Sequence, residues 1–570
     1  MPDRDPINLN FYWSTQFVRS LYEEGVREVV ISPGSRSTPL TLAFAAHPGF
    51  QKHVVIDERS AAFIALGIGK ASGKPACLVC TSGTALANYY PTVIEATLSK
   101  NPMIVLSADR PPHLREIGAS QTIDQLKAFG DYPVFFHDIG EPKKSNKSII
   151  RLQKAASQAV MLSKSKSGVA HLNFPFSKPL TPEEEFFNTT IAENEKHARQ
   201  SYRSYKATGV ISHLDEQFWS DLVSSERPVL IAGATSTFNE IETIQNLAKT
   251  LDAPIIAEPG SKVPSSKYVI SGYDGFLRNG SIAEELSSDL ILRFGSEPVS
   301  KALINYLSRH SETPQIRFLR DDFLEDESLT STKHICLQGT LDIPEVSGAT
   351  DKHWLRNWRR YQKSFAQFRQ NSIHPSTPLT DGYIFHTLSQ LLPKKAFVML
   401  SNSFPVRDFS LFTNNEAKDV FVNRGAAGID GIISTSLGIS KSAKKTGVLF
   451  IGDIAFLHDS NALLEARHIN RPLVIIVLNN AGGSIFRILP IHDLKETFTP
   501  FFETPQQVSI AALCRAHKVD HALISKPEQL ITAFEERIEK PGIHVLECIT
   551  DAEESMVQRE LLWNNFAEEK

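Results

Sequence analysis

The sequence is poor in cysteine and has no long apolar run. Its five cysteines are scattered over 570 residues, and a low, odd number of this kind is typical of a reducing compartment. Apolar runs such as 472–478 are far shorter than the ~20 residues that span a bilayer. The first residues lack the basic-then-apolar pattern of a secretory signal. We therefore expect a cytoplasmic protein without membrane insertion.

The chain also lacks an excess of either charge. Sixty Lys and Arg stand against 64 Asp and Glu, for a net charge of -4. A dedicated nucleic-acid binder would show a strong basic excess, so we expect no nucleic-acid partner. With 41% hydrophobic and 22% charged residues, the composition is that of an ordinary globular protein. A length of 570 residues suggests three or four domains at roughly 150 residues each.

Strand-like runs alternate with helical stretches in three successive parts of the chain. This alternation predicts an α/β fold of three consecutive domains, each a parallel sheet flanked by helices. We predict an N-terminal domain over 1–182, a linker over 183–209, a middle domain over 210–348, a second linker over 349–380, and a C-terminal domain over 381–570. In the first domain the predicted strands are Glu28–Ser32, Val54–Asp57, Ala76–Thr81 and Met103–Ala108.

The second linker carries a helix with one aromatic stripe. Its members are Trp354, Trp358, Tyr361, Phe365 and Phe368. A basic aromatic helix can stack on nucleic acid. We prefer the alternative that a single stripe at this spacing packs against another part of the protein.

Two polar pairs in the C-terminal domain predict a ligand site. Gly452-Asp453 directly follows one predicted strand, and Asn479-Asn480 ends the next. A strand, helix, strand unit places both pairs at the carboxyl edge of a sheet, where ligands of α/β folds bind. The Asp453 carboxylate, the Asn480 amide and a backbone carbonyl near Gly482 suit Mg²⁺ with substrate phosphates. Gly452, Gly482 and Gly483 would allow close approach of a diphosphate, and a helix start after them adds a favourable dipole. The alternative is a helix cap and an ordinary turn.

Longer motifs carry a resemblance to a known family. The stretches Gly452–Asp459 and Asn479–Phe486 with Leu489-Pro490, together with several N-terminal motifs, resemble the thiamin diphosphate-dependent enzymes. Within them they resemble the family that joins 2-oxoglutarate to isochorismate in menaquinone or phylloquinone biosynthesis. The other motifs are Ser32–Pro39, Asp57-Glu58-Arg59, Cys80–Thr84, Ser107–Pro111, Gly118–Gln121, Asn423–Gly431 and Thr550-Asp551. Ile454 stands where the general thiamin motif has a third glycine.

The resemblance implies a cofactor, a metal and a fold. The fold is the thiamin diphosphate-binding fold, and the cofactors are thiamin diphosphate and Mg²⁺ or Mn²⁺. The cofactor-binding residues would be Glu58, Gly452, Asp453, Asn480, Gly482 and Ile485, with Asp453, Asn480 and Gly482 at the metal. Glu58 would bond to the aminopyrimidine ring and drive it to the form that removes the thiazolium proton. Taken alone, Glu58 between Asp57 and Arg59 would be a surface charge run.

The resemblance also implies a transferase that holds two acidic substrates, 2-oxoglutarate and isochorismate. The family's catalytic positions match Ser35, Arg36, Glu58, Arg110, Gln121, Arg407 and Arg424. Its substrate-binding positions match Ser403, Lys301, Ile485, Phe486 and Leu489. Arginine suits carboxylates because its planar fork pairs them bidentately. Ser403 and Arg407 would share one face of a helix beginning there. Ala302 stands where some relatives have a second cation.

For single residues, plainer interpretations stay open. Any one arginine could serve a surface salt bridge, and Ile485 and Leu489 could pack in the core. Cys77 and Cys80 form a Cys-x-x-Cys within a predicted strand, where positions three apart point to opposite faces. We interpret these two as core residues, because no second pair or suitable histidine follows for zinc.

The resemblance implies active sites shared between subunits. Glu58 and Asp453 would serve one cofactor from different chains, so a homodimer is the smallest active unit and a tetramer is common in the family. Two other functions stay open. One is another thiamin enzyme, such as an acetolactate synthase-like ligase or an oxoacid decarboxylase, although the arginine-rich loops argue against it. The other is a non-catalytic regulator on the same fold, although Glu58 and Asp453 are both present.

Overall fold

Three six-stranded sheets organise the chain, and all their hydrogen-bonded neighbours run parallel. The computed structural model describes residues 8–190, 211–234, 238–319, 325–337, 339–345, 348–414 and 419–566. The predicted α/β class, with three parallel sheets flanked by helices, is confirmed.

The first sheet has the strand order β2-β1-β3-β4-β6-β5. Its strands are β1 (Glu28–Ile31), β2 (Gln51–Val54), β3 (Ala76–Cys80), β4 (Met103–Asp109), β5 (Phe135–Asp138) and β6 (Val169–Pro175). The helices of this part are Leu9–Glu23, Thr38–Ala45, Glu58–Ser72, Thr84–Ala87, Tyr90–Leu98 and Asn146–Ser165. β3 and β4 are buried throughout, because a parallel sheet covered on both faces needs apolar side chains on both.

The predicted strand Val54–Asp57 is wrong in its position. The strand is Gln51–Val54, and Asp57 instead caps the next helix by accepting a hydrogen bond from the Ser60 N–H at 3.2 Å. The prediction rested on the apolar residues Val54 and Ile56, but they are 52% and 65% exposed and do not form a buried strand. Glu58 is consequently the first residue of a helix.

The middle sheet has the order β10-β9-β8-β11-β12-β13, beside a two-stranded pair β14-β7. Its strands, with the pair included, are β7 (Ile211–Ser212), β8 (Pro228–Ala232), β9 (Ile255–Ala257), β10 (Val269–Ile270), β11 (Leu290–Phe294), β12 (Gln315–Leu319), β13 (Lys333–Cys336) and β14 (Thr340–Leu341). The helices are Glu216–Val223, Phe238–Leu251, Tyr273–Phe276, Gly280–Glu285 and Lys301–Arg309.

The third sheet has the order β16-β15-β17-β18-β20-β19. Its strands are β15 (Phe397–Leu400), β16 (Asp419–Val422), β17 (Gly447–Gly452), β18 (Pro472–Asn479), β19 (Asp520–Ile524) and β20 (Gly542–Ile549). The helices of this part are Trp354–Ser372, Asp381–Leu391, Phe404–Phe412, Ile432–Ala443, Asp453–His458, Lys495–Phe498, Ile510–Ala516, Pro527–Glu535 and Ala552–Asn564.

The aromatic stripe packs inside the protein. Trp354, Trp358, Tyr361 and Phe365 are buried in one apolar cluster, and Phe368 packs against it. The packing interpretation of this helix is therefore right. Of the predicted first linker, residues 191–209 lie outside the described residues, whereas 184–190 are helical.

Two units can be distinguished by their internal packing. The first comprises the described part of Met1–Lys206 with Gly425–Lys444 and Asp459–Ile469. The second comprises the described parts of Ala207–Arg424, Lys445–His458 and Asn470–Lys570. Segments from the C-terminal third of the sequence thus fold with the first sheet.

Two glycines let helices of the first unit approach closely. A Cβ on Gly67 would lie 2.1 Å from the Thr435 carbonyl oxygen, and one on Gly438 would lie 2.1 Å from the Ile64 carbonyl oxygen. The helices Glu58–Ser72 and Ile432–Ala443 therefore cross with their backbones in contact. The crossing supports the helix that begins at Glu58.

All five cysteines are outside disulfide bonds, and four of them are buried: Cys77, Cys80, Cys514 and Cys548. Cys77 belongs to the core on one face of the first sheet. The interpretation of Cys77 and Cys80 as core residues is confirmed by their complete burial. Within the described ranges, no helix combines the length and apolar character that crossing a membrane requires.

Candidate active site

The carboxyl edge of the first sheet gathers several predicted site residues. Arg36 follows β1, and its guanidinium donates to the Phe176 carbonyl at 2.6 Å. Arg110 follows β4; its guanidinium donates to the Ser82 hydroxyl and, at 3.0 Å, to the Ser120 carbonyl. Ser82 in turn donates to the backbone carbonyl of Gln121 at 3.0 Å. Since β1, β3 and β4 are neighbours, the loops after them bring Arg36, Arg110 and Gln121 together.

This edge is rich in positive charge. Burial, and then the nearby Arg110, lower the pKa of Arg36, while Asp109 acts in the opposite direction. Asp109 accepts the Arg110 N–H at 2.7 Å and pairs with Arg115 at 2.9 Å. Burial nevertheless raises the pKa of Asp109. Two guanidinium groups near each other suit an anionic ligand that offsets their repulsion.

Ser35 and Gln121 face solvent at this edge, and Gln121 has a positive φ of 57°. Glu58 is half-buried at the start of its helix. Its negative charge contributes to raising the pKa values of Cys80 and Tyr89, after burial, so Glu58 lies near the carboxyl end of β3. Among the described residues, its carboxylate has no ion-pair partner.

A second group lies at the carboxyl edge of the third sheet. Gly452 pairs with Leu478 across β17 and β18, so Asp453 and Asn480 follow adjacent strand ends, as predicted. Asp453 is 5% exposed, and burial raises the pKa of its carboxyl to about 7, against hydrogen bonds from backbone N–H groups that include that of Gly482. The backbone N–H of Gly482 therefore lies near enough to Asp453 to lower the pKa of its carboxyl.

Two observations show that this edge fits a diphosphate with its cation. The Oδ1 atom of Asn480 is buried and has no hydrogen-bond partner in the described protein. A Cβ on Gly452 would meet nothing within 4 Å, so this backbone faces open space. An unpaired buried oxygen ordinarily costs free energy, and a bound cation would satisfy it.

The other two glycines of this site lie close to a neighbouring segment of the chain. A Cβ on Gly482 would lie 2.3 Å from the Glu503 carbonyl oxygen, and Gly483 approaches Phe502. Both positions are therefore occupied by the neighbouring segment 499–503. After them the chain forms only a short 3-10 turn, Ser484–Ile488, whereas the expected helix start is present directly after Gly452, where the α-helix Asp453–His458 begins.

Lys301 and Arg407 line one cavity of about 60 Å³, with Ile488 also in its wall. As predicted, a helix begins after Ser403, and the Arg407 guanidinium donates to the Ser403 carbonyl at 2.7 Å. Burial lowers the pKa of Arg407, while Asp274, Asp408 and Glu258 raise it. Lys301 itself is exposed.

Arg424 extends from the loop after β16 and donates to the Asn402 side-chain oxygen at 3.1 Å. Asn402 also donates to the Asn423 carbonyl at 2.7 Å. Sequence reasoning missed Asn402 and Ser82 as supports of arginines. The signal was available, because both follow buried strands at a carboxyl edge, where ligands of α/β sheets bind.

The predicted apolar wall is only partly covered. Ile485 and Phe486 are half-buried, and Leu489 is 47% exposed. Core packing therefore does not explain Leu489. Phe486 contacts Phe502 edge-on, with ring centroids 5.8 Å apart.

Comparison with family models identifies the three parts of the chain. Residues 13–128 match the N-terminal TPP binding domain of thiamine pyrophosphate enzymes, and residues 409–548 match their C-terminal TPP binding domain. Residues 191–400 match the middle domain of these enzymes. The expected thiamin diphosphate-binding fold is thereby confirmed.

Curated relatives are similar over nearly their whole length. A 2-succinyl-5-enolpyruvyl-6-hydroxy-3-cyclohexene-1-carboxylate synthase from Geobacillus kaustophilus is 37% identical over 98% of each chain. Synthases of the same name from Oceanobacillus iheyensis and Listeria monocytogenes are 33% and 35% identical over 97% of each chain. The chain belongs to this synthase family. The synthase family consists of transferases that use thiamin diphosphate, so the predicted enzyme class and cofactor are confirmed.

Proposed function

We propose that this chain joins 2-oxoglutarate to isochorismate with loss of CO₂. The product would be 2-succinyl-5-enolpyruvyl-6-hydroxy-3-cyclohexene-1-carboxylate, in menaquinone or phylloquinone biosynthesis. The observation that carries the proposal is the full-length similarity to synthases of that name. Arginines at the two sheet edges support it, because both substrates are carboxylic acids.

Thiamin diphosphate, when bound, supplies a nucleophilic carbon and an electron sink for the loss of CO₂. Asp453, Asn480 and the backbone of Gly482 would hold Mg²⁺ or Mn²⁺ on its diphosphate, while Gly452 and Ile485 would contact the cofactor. In the part of the chain that the structure describes, no three His, Cys, Asp or Glu side chains cluster around a possible metal. The cation would therefore need diphosphate oxygens to complete its coordination.

Glu58 would share a proton with the aminopyrimidine ring of the cofactor. The position of Glu58 supports this role, because its half-buried carboxylate lies at a helix start, beside the carboxyl end of the first sheet. The role requires a positioned acid–base group, which typically contributes about 10²- to 10⁴-fold to a rate.

The remaining predicted residues would bind the two acids. At the first sheet these are Ser35, Arg36, Arg110 and Gln121, and in the second unit they are Lys301, Ser403, Arg407 and Arg424. Ile485, Phe486 and Leu489 would exclude water from the apolar parts of cofactor and substrate. The partial exposure of these three side chains supports contact with a ligand.

The active sites would be shared between two subunits, with Glu58 from one and Asp453 from the other. Exposed apolar side chains of the first unit support an interface: Val54 and Ile56, just before Glu58 in the sequence, and Ile117, Ile123 and Leu126, after β4. A homodimer or tetramer would cover them.

We also propose a cytoplasmic location, which five cysteines outside disulfides support, and the domain boundaries given above.

The decisive experiment follows isochorismate absorbance after addition of enzyme. Thiamin diphosphate, Mg²⁺ and 2-oxoglutarate are each omitted in turn. We expect loss of absorbance only when all three are present. Release of CO₂ from 2-oxoglutarate with isochorismate untouched would indicate a thiamin enzyme with another acceptor. If neither compound is consumed, a non-catalytic regulator would replace the proposal.

A further inference from the structure

A glutamine that the predicted site does not include is buried in the loop after β4. Gln125 is 1% exposed, although its apolar neighbours Ile123 and Leu126 are 37% and 43% exposed. The loop is therefore anchored in the protein by a polar side chain rather than by an apolar one. A buried amide needs hydrogen-bond partners, because unpaired polar atoms cost free energy. The partners of Gln125 thus show what it holds.

Gln125 joins three segments of the first sheet. Its Oε1 atom accepts the Gly83 N–H at 2.9 Å, in the loop after β3. Its Nε2 atom donates to the Ala108 carbonyl in β4 at 3.2 Å and to Oδ1 of Asn173 in β6 at 3.0 Å. The orientation of the amide is fixed, because a backbone N–H can only donate and a backbone carbonyl can only accept.

One branch of these hydrogen bonds ends at the backbone of Arg110. Asn173, which accepts from Gln125, donates to Asp109 at 3.0 Å. Asp109 accepts the Arg110 N–H at 2.7 Å. Asn173 and Asp109 are completely buried, so water does not compete for these bonds. The backbone position of Arg110 is therefore tied to Gln125 through two side chains.

A second branch ends at the guanidinium of the same arginine. Gln125 holds the Gly83 N–H, and the residue before Gly83 is Ser82, which is also completely buried. The Ser82 hydroxyl accepts a hydrogen bond from the Arg110 guanidinium. Both branches from Gln125 thus reach Arg110, one at its main chain and one at its side chain.

Arg110 itself keeps its charge available for a ligand. Its guanidinium donates to two neutral acceptors, the Ser82 hydroxyl and the Ser120 carbonyl, and the residue is half-buried. A planar guanidinium pairs a carboxylate bidentately only in the right orientation. Small displacements of such a group weaken binding and catalysis strongly.

We propose that Gln125 is a positioning residue for Arg110, which it holds in place for a substrate carboxylate through both branches. The inference rests on the proposed function, because that function makes Arg110 a substrate ligand. Gln125 touches no reacting atom in this scheme and acts through the arginine.

The test compares Gln125→Glu with the wild-type holoenzyme by steady-state kinetics. Glutamate keeps the shape and an acceptor for the Gly83 N–H, but it has at most one donor, so it cannot make both bonds donated by Nε2. We expect KM for 2-oxoglutarate or isochorismate to rise about ten-fold or more, with a smaller change in kcat and unchanged affinity for thiamin diphosphate. Unchanged KM for both substrates would overturn the inference.

A double-mutant cycle shows whether Gln125 acts through Arg110. Arg110→Ala removes the guanidinium, so Gln125→Glu added to Arg110→Ala should raise KM no further. If Gln125→Glu raised KM by the same factor with and without the arginine, it would act elsewhere, and the inference would be wrong.

Gln315→Glu is a matched control from the middle sheet. Gln315 is also completely buried, and its Nε2 atom donates to the Leu307 and His310 carbonyls, both at 3.0 Å. The control removes the same kind of bonds far from Arg110 in the sequence, and KM should stay at the wild-type value. An equal rise in KM in Gln315→Glu would contradict a specific role for Gln125.

If Gln125→Glu does not fold, Ser82→Ala decides, because it removes only the hydroxyl that accepts from Arg110. A raised KM that disappears in the Arg110→Ala background would support the inference. A wild-type KM in Ser82→Ala would then overturn it.

Failure of the proposed function is recognised separately. If the wild-type enzyme does not consume isochorismate, calorimetric titration of the holoenzyme with 2-oxoglutarate replaces kinetics. Weaker binding by Gln125→Glu than by wild type would still support positioning. Equal binding, or no binding by the wild type, would overturn it.

Discussion

At the scale of single residues, three buried carboxyl groups have surroundings that suit different roles. Asp453, Asp459 and Glu258 are each less than 10% exposed, and burial raises the pKa of each. Their surroundings differ. Asp453 and Asn480, whose buried Oδ1 has no hydrogen-bond partner in the described protein, follow the ends of adjacent strands. Asp459 instead accepts both the N–H and the hydroxyl of Ser434, at 2.7 and 2.9 Å. The surroundings of Asp453 therefore suit ligand binding, whereas those of Asp459 suit a role in stabilising the fold.

Asp453→Ala should weaken binding of thiamin diphosphate by about ten-fold or more, because the cation on its diphosphate loses a ligand. The loss should be larger at saturating Mg²⁺ than without it. Calorimetric titration at both Mg²⁺ levels measures this. Asp493→Ala, an exposed carboxylate of the same part of the chain, is the control. Affinity equal to wild type under both conditions would remove Asp453 from the metal site.

Asp459 should make stability depend on pH. Its folded pKa is about 7, above the ~3.9 of an unfolded aspartate. The folded state therefore binds the proton more tightly, so this group's contribution to stability falls as pH rises from about 4 to 7, by up to about 4 kcal/mol. Asp459→Asn removes the titration; its amide oxygen can accept the Ser434 N–H while its NH₂ donates to the Ser434 hydroxyl. Denaturant unfolding from pH 5 to 8 should show wild type losing stability relative to Asp459→Asn; parallel curves would contradict this.

Residues at strand ends could be predicted from the sequence, and others could not. Asp453, Asn480 and Arg110 each follow a buried apolar run, and a parallel sheet places such positions at one edge. Glu258 follows β9 in the same way, but the sequence does not show that Val299 and Tyr273 approach it, because they are distant along the chain. The close approach of the Glu503 carbonyl to Gly482 also depends on packing between separate segments.

At the scale of elements, apolar runs predicted the central strands well and the edge strand poorly. β3 and β4 are buried and begin or end within one residue of the predicted runs. β2 is an edge strand with a mostly exposed sequence, Gln51–Val54. Its register is set by pairing with β1. Because its side chains are mostly exposed, its sequence has no apolar pattern from which the strand could be predicted.

Gly438→Ala tests the helix crossing. The added methyl would lie 2.1 Å from the Ile64 carbonyl oxygen, so the helices must separate, at a cost of roughly 1–3 kcal/mol. Turnover should also fall, because the partner helix begins at Glu58. Gly280→Ala adds the same methyl group where only the Arg309 side chain lies within 4 Å. Equal stability of the two variants in denaturant titration would show that the crossing tolerates a side chain.

At the scale of the whole molecule, the proposed sharing of sites between subunits allows a complementation test. Glu58→Gln and Asp453→Ala should each be nearly inactive alone. Co-expressed, they should recover about a quarter of wild-type activity, because half of randomly formed dimers are mixed and each has one intact site. Isochorismate consumption by the purified mixture measures the recovery.

The control for complementation is a pair of variants on the same side of the proposed site. Arg36→Ala with Glu58→Gln should recover nothing, because both residues come from the first unit. Activity no higher in the Glu58 and Asp453 mixture than in this control would mean that each chain builds its own site. The three domains would still stand, since the family matches span them independently.

Cys336, at the end of an edge strand in the middle sheet, is the one exposed thiol among the five cysteines. A maleimide dye should therefore attach to the native protein at a single place, without any cysteine being engineered out. The label would sit on the middle sheet, in the part of the chain that carries Lys301. Its fluorescence anisotropy could then report, in real time, whether that domain stiffens when an acidic substrate arrives.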